Sequence, residues 1–216
     1  MNDDDKSALE GEKQPGRRSS LRENVEAVLV AVLLALFIRT FVVQAFKIPS
    51  GSMIPTLQIG DHILVNKFAY GLEIPFLRIP LFDGKDPGRG DIVVFKYPED
   101  PQKDFIKRVV AVGGDVVEIR DKKVYVNGAL LPDEHVIHTD TRMLPVRDSM
   151  DPVHVPPDKL FVLGDNRDNS HDSRFWKFVD ARAVRGKAFI IYWSWNDRPS
   201  AIVDRIRWGR LGHLLK

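Results

Sequence analysis

A run of apolar residues near the N-terminus, 27–38, constrains the fold of this 216-residue chain more than any other feature. A helix buried in a globular core normally keeps a polar face, and this run has none. A helix that spans a bilayer needs about 20 apolar residues, and the stretch 25–46 supplies that length. Its charges lie near its ends, because Glu26 is close to the start and Arg39 can extend towards the far interface. The run therefore predicts a membrane anchor over residues 23–45.

A cleaved signal peptide is the main alternative, because residues 43–45 resemble a small-residue cleavage site. A long acidic leader before the run, and Arg39 between the run and that site, both disfavour it. The arginines that precede the run are Arg17, Arg18 and Arg22. Since basic residues stay on the cytoplasmic side of a membrane, they predict a polar cytoplasmic tail over 1–22 and an extracytoplasmic domain over 46–216.

The composition excludes several classes of site. A net charge of +2 creates no strong field that would attract nucleic acid, and the sequence carries no zinc-finger or RNA-binding signature. The absence of cysteine excludes disulfides, thiolate nucleophiles and cysteine metal sites. The six histidines lie at no metal-site spacing. The sequence therefore predicts neither a metal nor another cofactor.

Short β-rich segments separated by turns make up the chain from Asp61 onwards, which predicts a mostly β fold. The segments are 62–66, 91–95, 109–112, 116–119, 123–126, 160–163 and 188–193. The pairs Asp-Lys at 121–122 and Asn-Gly at 127–128 flank the fifth segment and predict a hairpin. Helical periodicity is nearly absent until 202–215, a basic and partly amphipathic stretch. We interpret that stretch as a C-terminal cap, with contact to a membrane surface as the alternative.

Two serines on either side of a glycine, Ser50 and Ser52 around Gly51, form the first stretch with chemical character. Pro49 and Pro55 bracket it, and each proline fixes its own φ and favours an extended residue before it. Gly51 allows the backbone to bend between the serines. The result is a short rigid bend that displays hydroxyl groups, which suits a nucleophile. The alternative is an ordinary turn that leads into a strand.

Two further stretches indicate catalysis. Lys107 lies within an apolar strand, where burial would lower the pKa of its amine and let it act as a base near neutral pH. A side chain that points to solvent is the alternative. The second stretch, 164–176, is dense in Asp, Asn, Ser and Arg and follows an apolar strand. It predicts a hydrogen-bonded loop that holds a neighbour in place, with a solvated surface loop as the alternative.

Together and in this order, these stretches resemble the bacterial type I signal peptidases, or leader peptidases. The matching motifs are Ser50-Gly51-Ser52-Met53, Pro55-Thr56-Leu57, Gly60-Asp61, Lys107-Arg108, Gly113-Gly114-Asp115, Gly164-Asp165-Asn166-Arg167-Asp168-Asn169-Ser170 and Asp172-Ser173-Arg174. The family implies a serine protease, tethered to the bacterial inner or plasma membrane, that removes signal peptides from exported preproteins. It also implies a Ser/Lys dyad, a mostly β signal-peptidase-like fold behind one N-terminal transmembrane helix, and a smaller β subdomain inserted at about 116–160.

The resemblance also implies roles for individual residues. Ser52 would be the nucleophile and Lys107 the general base, with Ser170 orienting the lysine amine through a hydrogen bond. Ser50 would donate its hydroxyl to the oxyanion, beside the backbone N–H of Ser52. Shallow apolar pockets for the small residues of the signal peptide would be lined by Phe46, Ile48, Met53 and Ile106. Scaffold ion pairs would involve Asp165, Asp172 and Arg174. The signal peptide would add as an extended strand, and the lipid bilayer is the second implied partner.

Other functions fit the sequence less well. Penicillin-binding proteins carry S-x-x-K, but Met53 and Pro55 lie three residues after the two serines. A self-cleaving repressor of the Ser/Lys type would need a DNA-binding domain in place of the apolar run. A Ser/His/Asp triad through His171 is the alternative for the catalytic base. The alternative outside enzymes is a membrane-anchored β module that binds exported or envelope proteins, in which Ser52 and Lys107 would be dispensable.

Overall fold

The computed structural model describes residues 17–73, 80–82, 84–132, 134–197 and 202–215. The chain divides into two compact units, Met1–Arg39 and Thr40–Lys216. Most of the predicted cytoplasmic tail, residues 1–16, lies outside the described residues.

The N-terminal unit contains one long helix, α1, Arg17–Phe37, which is followed by a π-helical turn, Ile38–Val42. The large apolar side chains exposed along the helix are Leu21, Val25, Val28, Leu29, Val30, Val32, Leu33, Leu34, Leu36 and Phe37. Because these positions are nearly consecutive, every side of the second half of the helix is apolar. Within the part of the chain that the structure describes, no helix combines the length and the apolar character that crossing a bilayer requires.

The helical segment predicted over 23–45 is wrong at its C-terminal end. The α-helix ends at Phe37, and Val43–Lys47 already forms the first strand, β1. Two β-branched residues, Val42 and Val43, favour the extended conformation at this point. Strand pairing then fixes it, because all of β1 is hydrogen-bonded to the next strand.

The second unit is mostly β, as the sequence predicts, and its named strands pair antiparallel. After β1 come β2 Asp61–Asn66, β3 Leu72–Glu73, β4 Pro80–Phe82, β5 Ile92–Tyr97, β6 Asp100–Val112, β7 Val116–Arg120, β8 Lys123–Val126, β9 Ala129–Leu130, β10 Met150–His154, β11 Lys159–Leu163, β12 Val179–Asp180, β13 Val184–Ser194 and β14 His213–Leu214. A short helix, α2, spans Ser173–Trp176. Single 3₁₀ turns span Lys67–Tyr70, Arg167–Asn169, Ala181–Ala183, Ile202–Arg205 and Trp208–Arg210.

One large sheet carries the stretches that the sequence marks as chemical. Its strand order is β1-β2-β13-β5-β6-β11-β12, and β14 pairs with β13. The Ser-Gly-Ser bend lies in the connection between β1 and β2, and backbone hydrogen bonds between Ile48 and Asp61 (2.8 Å) and between Gly60 and Ile48 (3.0 Å) close its base. Lys107 lies on β6, opposite Val93 of β5. The sheet therefore fixes both chemical groups on neighbouring parts of one scaffold.

A smaller sheet occupies the stretch predicted to hold an inserted subdomain. Its strand order is β10-β7-β8-β9, so it is built from residues 116–154. The turns at 121–122 and 127–128 both have positive φ, at 49° and 69° and at 53° and 80°. Such turns match the right-handed twist of a tight hairpin. The predicted end of the insertion differs slightly, because Lys159 and Leu160 already belong to β11 of the large sheet.

The connection between β1 and β2 is anchored in the core by its own apolar side chains. Ile48, Met53 and Leu57 are buried in a cluster with residues of β2, β5 and β13. Burial of each such side chain is worth roughly 1.5–3 kcal/mol. The connection that bears the serines is therefore anchored in the core by these three side chains.

The C-terminal stretch 202–215 is not a continuous helix. It forms two 3₁₀ turns and the strand β14, and Gly212 adopts a φ of 75°, which a helix does not accommodate. Leu215 is buried in the same cluster as Met53. The stretch therefore packs against the large sheet close to the serine-bearing connection.

Candidate active site

Ser52 and Lys107 meet in the interior of the second unit. The Nζ atom of Lys107 lies 2.7 Å from the Oγ atom of Ser52, although 55 positions separate the two residues along the chain. Ser52 is 8% exposed and Lys107 is 4% exposed. The solvent-facing alternative for Lys107 is therefore wrong, because β5 and β6 pair in a register that turns this side chain towards the serine. The contact joins a hydroxyl to a potential base at hydrogen-bond distance.

Burial lowers the pKa of the Lys107 amine from 10.5 to about 8. Asp172 and Asp165 oppose this shift because negative charge favours the ammonium form, and Arg174 adds to it. The ring of Phe105 lies 5.5 Å from Nζ and contributes to the apolar surroundings. A substantial fraction of the amine is therefore neutral near pH 8, and only the neutral amine can accept the proton of a serine hydroxyl.

Ser170 lies at the site but does not make the predicted hydrogen bond. Its Oγ atom is buried and has no hydrogen-bond partner within the described residues. The Lys107 amine instead donates to Ser52 Oγ and, at 3.0 Å, to the carbonyl oxygen of Ile106. Ser170 is nevertheless close, since a Cβ atom added to Gly164 would lie 2.3 Å from Ser170 Oγ and 2.5 Å from the Ser52 carbonyl oxygen. Gly164 thus separates the two serines at van der Waals distance.

Ser50 lies at the exposed start of the bend, before Gly51. Its predicted role as an oxyanion donor stays a prediction.

Asn166 is a contact of the site to which the sequence assigned no role. Its backbone N–H donates to the carbonyl oxygen of Ser52 at 3.1 Å, and its side-chain Nδ2 donates to the carbonyl oxygen of Gly51 at 3.2 Å. The only signal in the sequence is its position in the polar motif 164–170. That motif does not say which of its amides faces the serine.

Asp165, Asp172 and Arg174 all lie in buried ion pairs. Asp165 accepts two hydrogen bonds from Arg108, at 2.9 and 2.8 Å, and a third from Thr56 Oγ1 at 2.5 Å. Asp172 accepts from Arg174 Nε and Nη2, both at 2.8 Å. These charge-assisted pairs hold the loop 164–174 against β6 and against the connection that bears Ser52.

A third ion-pair cluster escaped the sequence analysis because its members lie far apart in the chain. Asp61 is fully buried and accepts from Arg210 Nη2 and Ser194 Oγ, both at 2.6 Å. Arg210 also donates to the carbonyl oxygen of Thr56 at 2.8 Å. The C-terminal stretch therefore clamps the serine-bearing connection from behind.

The predicted pocket residues fall into two groups. Ile48 and Met53 are 2% and 0% exposed and belong to a core cluster, and their assignment as pocket lining stays a prediction. Both face inward because they anchor the connection between β1 and β2. Phe46 and Ile106 are only partly buried and pack against the same cluster, so they retain surface that a ligand could contact.

His171 does not take the place of the base. Its Nε2 atom lies 3.1 Å from Tyr97 Oη, and its ring stacks on Phe175 with centroids 5.4 Å apart. The group next to Ser52 Oγ is the Lys107 amine. The geometry therefore favours a Ser/Lys pair over a Ser/His/Asp triad.

Comparison with known proteins identifies the family of this chain. Residues 21–193 match the family model described as signal peptidase, peptidase S26. The chain is 37% identical to the signal peptidase I of Pseudomonas aeruginosa, over 91% of this chain and 80% of that protein. It is 41% identical to a probable signal peptidase I-2 of Synechocystis, over 78% and 71% of the two chains. It is 35% identical to the signal peptidase I of Aquifex aeolicus, over 81% and 85%.

A solved structure is similar over part of the chain. The crystal structure of a signal peptidase I from Enterococcus faecalis V583 is 32% identical in sequence and aligns with a TM-score of 0.39. The alignment covers 48% of this chain and 97% of that one. Because the family model matches most of this chain and the relatives align over most of their own length, the chain belongs to the signal peptidase family, peptidase S26, and is a peptide-bond hydrolase.

Proposed function

We propose that this chain is a membrane-anchored serine endopeptidase that removes N-terminal signal peptides from exported preproteins. Ser52 is the nucleophile and Lys107 the general base. The observation that carries the proposal is the 2.7 Å contact between Lys107 Nζ and Ser52 Oγ in a buried setting. Relatives with long alignments bear the name signal peptidase I, which supports signal peptides as the substrate.

Acylation begins when the neutral Lys107 amine accepts the proton of Ser52 Oγ as the oxygen attacks the scissile carbonyl carbon. The carbonyl oxygen becomes an oxyanion, which the backbone N–H of Ser52 and the hydroxyl of Ser50 stabilise. The ammonium of Lys107 then protonates the leaving amine, and the C–N bond breaks. An ester between Ser52 and the signal peptide remains.

Deacylation repeats the same steps with water as the nucleophile. Lys107 accepts a proton from the water, which attacks the ester carbon and forms a second oxyanion. Collapse of this intermediate returns the proton to Ser52 Oγ and releases the signal peptide. The base is neutral again at the end, so the cycle needs no other proton carrier.

Selectivity for small residues follows from the surfaces beside the dyad. Phe46 on β1 and Ile106 on β6 are partly buried and leave only a shallow apolar surface. Among the described residues β1 is the terminal strand of the large sheet, so an extended peptide can pair with its outer edge. A large side chain before the scissile bond would contact the packed core instead of a cavity.

The exposed apolar helix α1 supports membrane anchoring. Its exposed valine, leucine and phenylalanine side chains surround the helix, and burial in lipid would remove this surface from water. Arginines at the start of the segment favour a cytoplasmic N-terminus and a catalytic unit on the outer face of the bacterial plasma membrane. We expect the chain to stay in the membrane pellet after alkaline carbonate extraction, and its recovery in the supernatant would contradict anchoring.

Cleavage of a purified preprotein in detergent tests the dyad. We expect Ser52→Ala and Lys107→Ala each to lose processing while keeping the native thermal unfolding transition. Ser149→Ala and Lys96→Ala are matched controls, because both side chains are exposed, and they should process at the native rate. Normal processing by Ser52→Ala would withdraw the dyad and favour a binding module. Loss with Ser52→Ala alone would move the base away from Lys107.

A further inference from the structure

The side chain of Asn166 grips one particular peptide group, the one that joins Gly51 to Ser52. Its Nδ2 atom donates to the carbonyl oxygen of this peptide at 3.2 Å. The backbone N–H of Ile54 donates to the same oxygen, also at 3.2 Å. The backbone N–H of Asn166 holds the next carbonyl, that of Ser52, at 3.1 Å. The carbonyl groups of Gly51 and Ser52, which come directly before and after the nitrogen and Cα of Ser52, are therefore both fixed.

Fixing the Gly51 carbonyl also fixes the direction of the Ser52 N–H. A peptide group is planar and trans, so its C=O and N–H bonds point in opposite directions. Rotation of this peptide about its flanking bonds would break the hydrogen bonds from Asn166 and Ile54 and would turn the N–H away together with the carbonyl. The N–H of Ser52 belongs to the nucleophile's own residue, where it can reach the oxyanion that forms on the substrate carbonyl when Ser52 Oγ attacks it.

The surroundings of the Asn166 side chain indicate that its amide serves the hydrogen bond to the Gly51 carbonyl oxygen. The residue is 5% exposed, and its Oδ1 atom has no hydrogen-bond partner within the described residues. A buried acceptor without a partner is unfavourable, and such a group in a native fold often marks a functional position. The amide cannot simply be turned over, because that would set Oδ1 against the Gly51 carbonyl oxygen and leave two acceptors in contact.

We propose that Asn166 is a positioning residue that holds the Gly51–Ser52 peptide so that the Ser52 N–H points at the developing oxyanion. The inference rests on the proposed function, because it takes Ser52 as the nucleophile. Asn166 acts through the backbone and does not touch the reacting atoms. Its amide is uncharged, so removing it leaves the charges around Lys107 in place. Its loss therefore weakens stabilisation of the transition state without changing the titration of the base.

The test compares Asn166→Leu with Asn169→Leu. Leucine has nearly the shape of asparagine but cannot donate a hydrogen bond, and Asn169 is exposed in the same loop. Loss of one direct oxyanion donor costs about 10²–10³ in kcat, so we expect Asn166→Leu to lower kcat about 10- to 100-fold. KM for a signal-peptide substrate should change by less than about two-fold, and the pH midpoint of kcat/KM should not move. Asn169→Leu should match the native enzyme.

A peptide aldehyde gives a readout that a merely structural role would not move. Its adduct with Ser52 places an oxygen where the oxyanion forms, so its inhibition constant should rise in Asn166→Leu by the factor by which kcat falls. If kcat is unchanged, if the loss lies in KM, or if the pH midpoint moves, the proposal is overturned.

A second variant covers a failure of Asn166→Leu to fold. Asn166→Ala leaves space instead of an apolar branch, and the same three readings apply to whichever variant keeps the native unfolding transition. Ser52→Ala is run in parallel. If Ser52→Ala still cleaves, the proposed function fails, whereas an inactive Ser52→Ala with a fully active Asn166 variant refutes only the role of Asn166.

Discussion

A lysine can serve as a base in this site because the fold removes its amine from water. Burial lowers the pKa of Lys107 to about 8, and the nearby carboxylates of Asp172 and Asp165 keep it from falling further. The ammonium form is inactive as a base, and it loses its proton as the pH rises through this value. We therefore expect kcat/KM to rise with pH and to level off above about pH 8. A profile of kcat/KM that is flat from about pH 6 to about pH 9 would contradict this assignment, because the base should titrate within that range.

Because it is buried, Lys107 should lower the free energy of unfolding at neutral pH. The unfolded chain holds its lysine proton up to about pH 10.5, the folded chain only to about 8, so the unfolded state binds more protons between these values. Stability therefore rises with pH across that window, and the full cost is present below it. We expect Lys107→Met to raise the free energy of unfolding at pH 7 by up to about 3 kcal/mol.

Urea unfolding at pH 7 and at pH 10.5 measures this effect. The gain from Lys107→Met should shrink to a small remainder at the higher pH, where the folded lysine is neutral and the unfolded lysine has lost about half of its protons. Lys96→Met, on the exposed side of β5, is the control variant and is measured at the same two pH values. An equal gain at both pH values would show that packing and not protonation is responsible.

Single residues differ in how far the sequence could predict them. Ser52 and Lys107 could be found because each lies in a short motif whose order along the chain is informative. Asn166, Arg108 and Arg210 could not, because their partners lie far away in sequence and depend on strand pairing. The burial of Met53 could not be predicted either, since an apolar residue beside a serine-bearing bend fits a pocket and a core equally well in the sequence.

At the scale of elements, the loop that follows β11 depends on the absence of a side chain at Gly164. A Cβ atom there would approach Ser170 Oγ to 2.3 Å and the Ser52 carbonyl oxygen to 2.5 Å. The serine-bearing connection must then move, and a displacement of about 1 Å can cost roughly 100-fold in rate. We expect Gly164→Ala to lower kcat/KM by at least that factor, as measured by preprotein cleavage.

Gly128→Ala provides a comparison for that variant. Its added Cβ meets nothing within 4 Å, although its φ of 80° strains any side chain. We expect a modest loss of stability and normal cleavage from it, since the turn lies in the smaller sheet. If Gly164→Ala also cleaves normally, the close approach at Gly164 does not set the position of Ser52.

Elements with strong local signals were predicted well, and those held by tertiary contacts were not. The segments 116–119 and 123–126 are apolar, short and bounded by turn residues, and they correspond to β7 and β8. The first half of β6 is charged and exposed, so its pairing with β5 has no local signature. β14 is two residues long and exists only because β13 offers it a partner.

At the scale of the whole molecule, the C-terminal stretch packs onto the connection that carries Ser52, the proposed nucleophile. Arg210 pairs with the fully buried Asp61 and with the Thr56 carbonyl. Removing one partner leaves a buried charge poorly compensated, which typically costs about 3–5 kcal/mol. Ser194 and Arg207 still contact Asp61, so we expect the lower end of that range for Arg210→Ala, together with slower cleavage.

Denaturant unfolding checks this value against Arg182→Ala, a variant of an exposed arginine. Arg182→Ala should change the free energy of unfolding by less than about 0.5 kcal/mol. Equal stability of the two variants would show that the C-terminal clamp is dispensable.

The direct pairing of β6 with β11 also bears on how such an enzyme can be lengthened or tagged. Val112 and Leu160 face each other across the ladder, so a tight turn could join them, and the smaller sheet is a detour from that path. The stretch that contains the smaller sheet is nevertheless attached to the loop after β11, because Ile137 exchanges backbone hydrogen bonds with Asp165 and Arg167 near the proposed nucleophile. Foreign sequence grafted near Ile137 would disturb the chemistry. The turn at 127–128, beside the terminal strand β9, is the natural site for a fluorophore or an affinity tag.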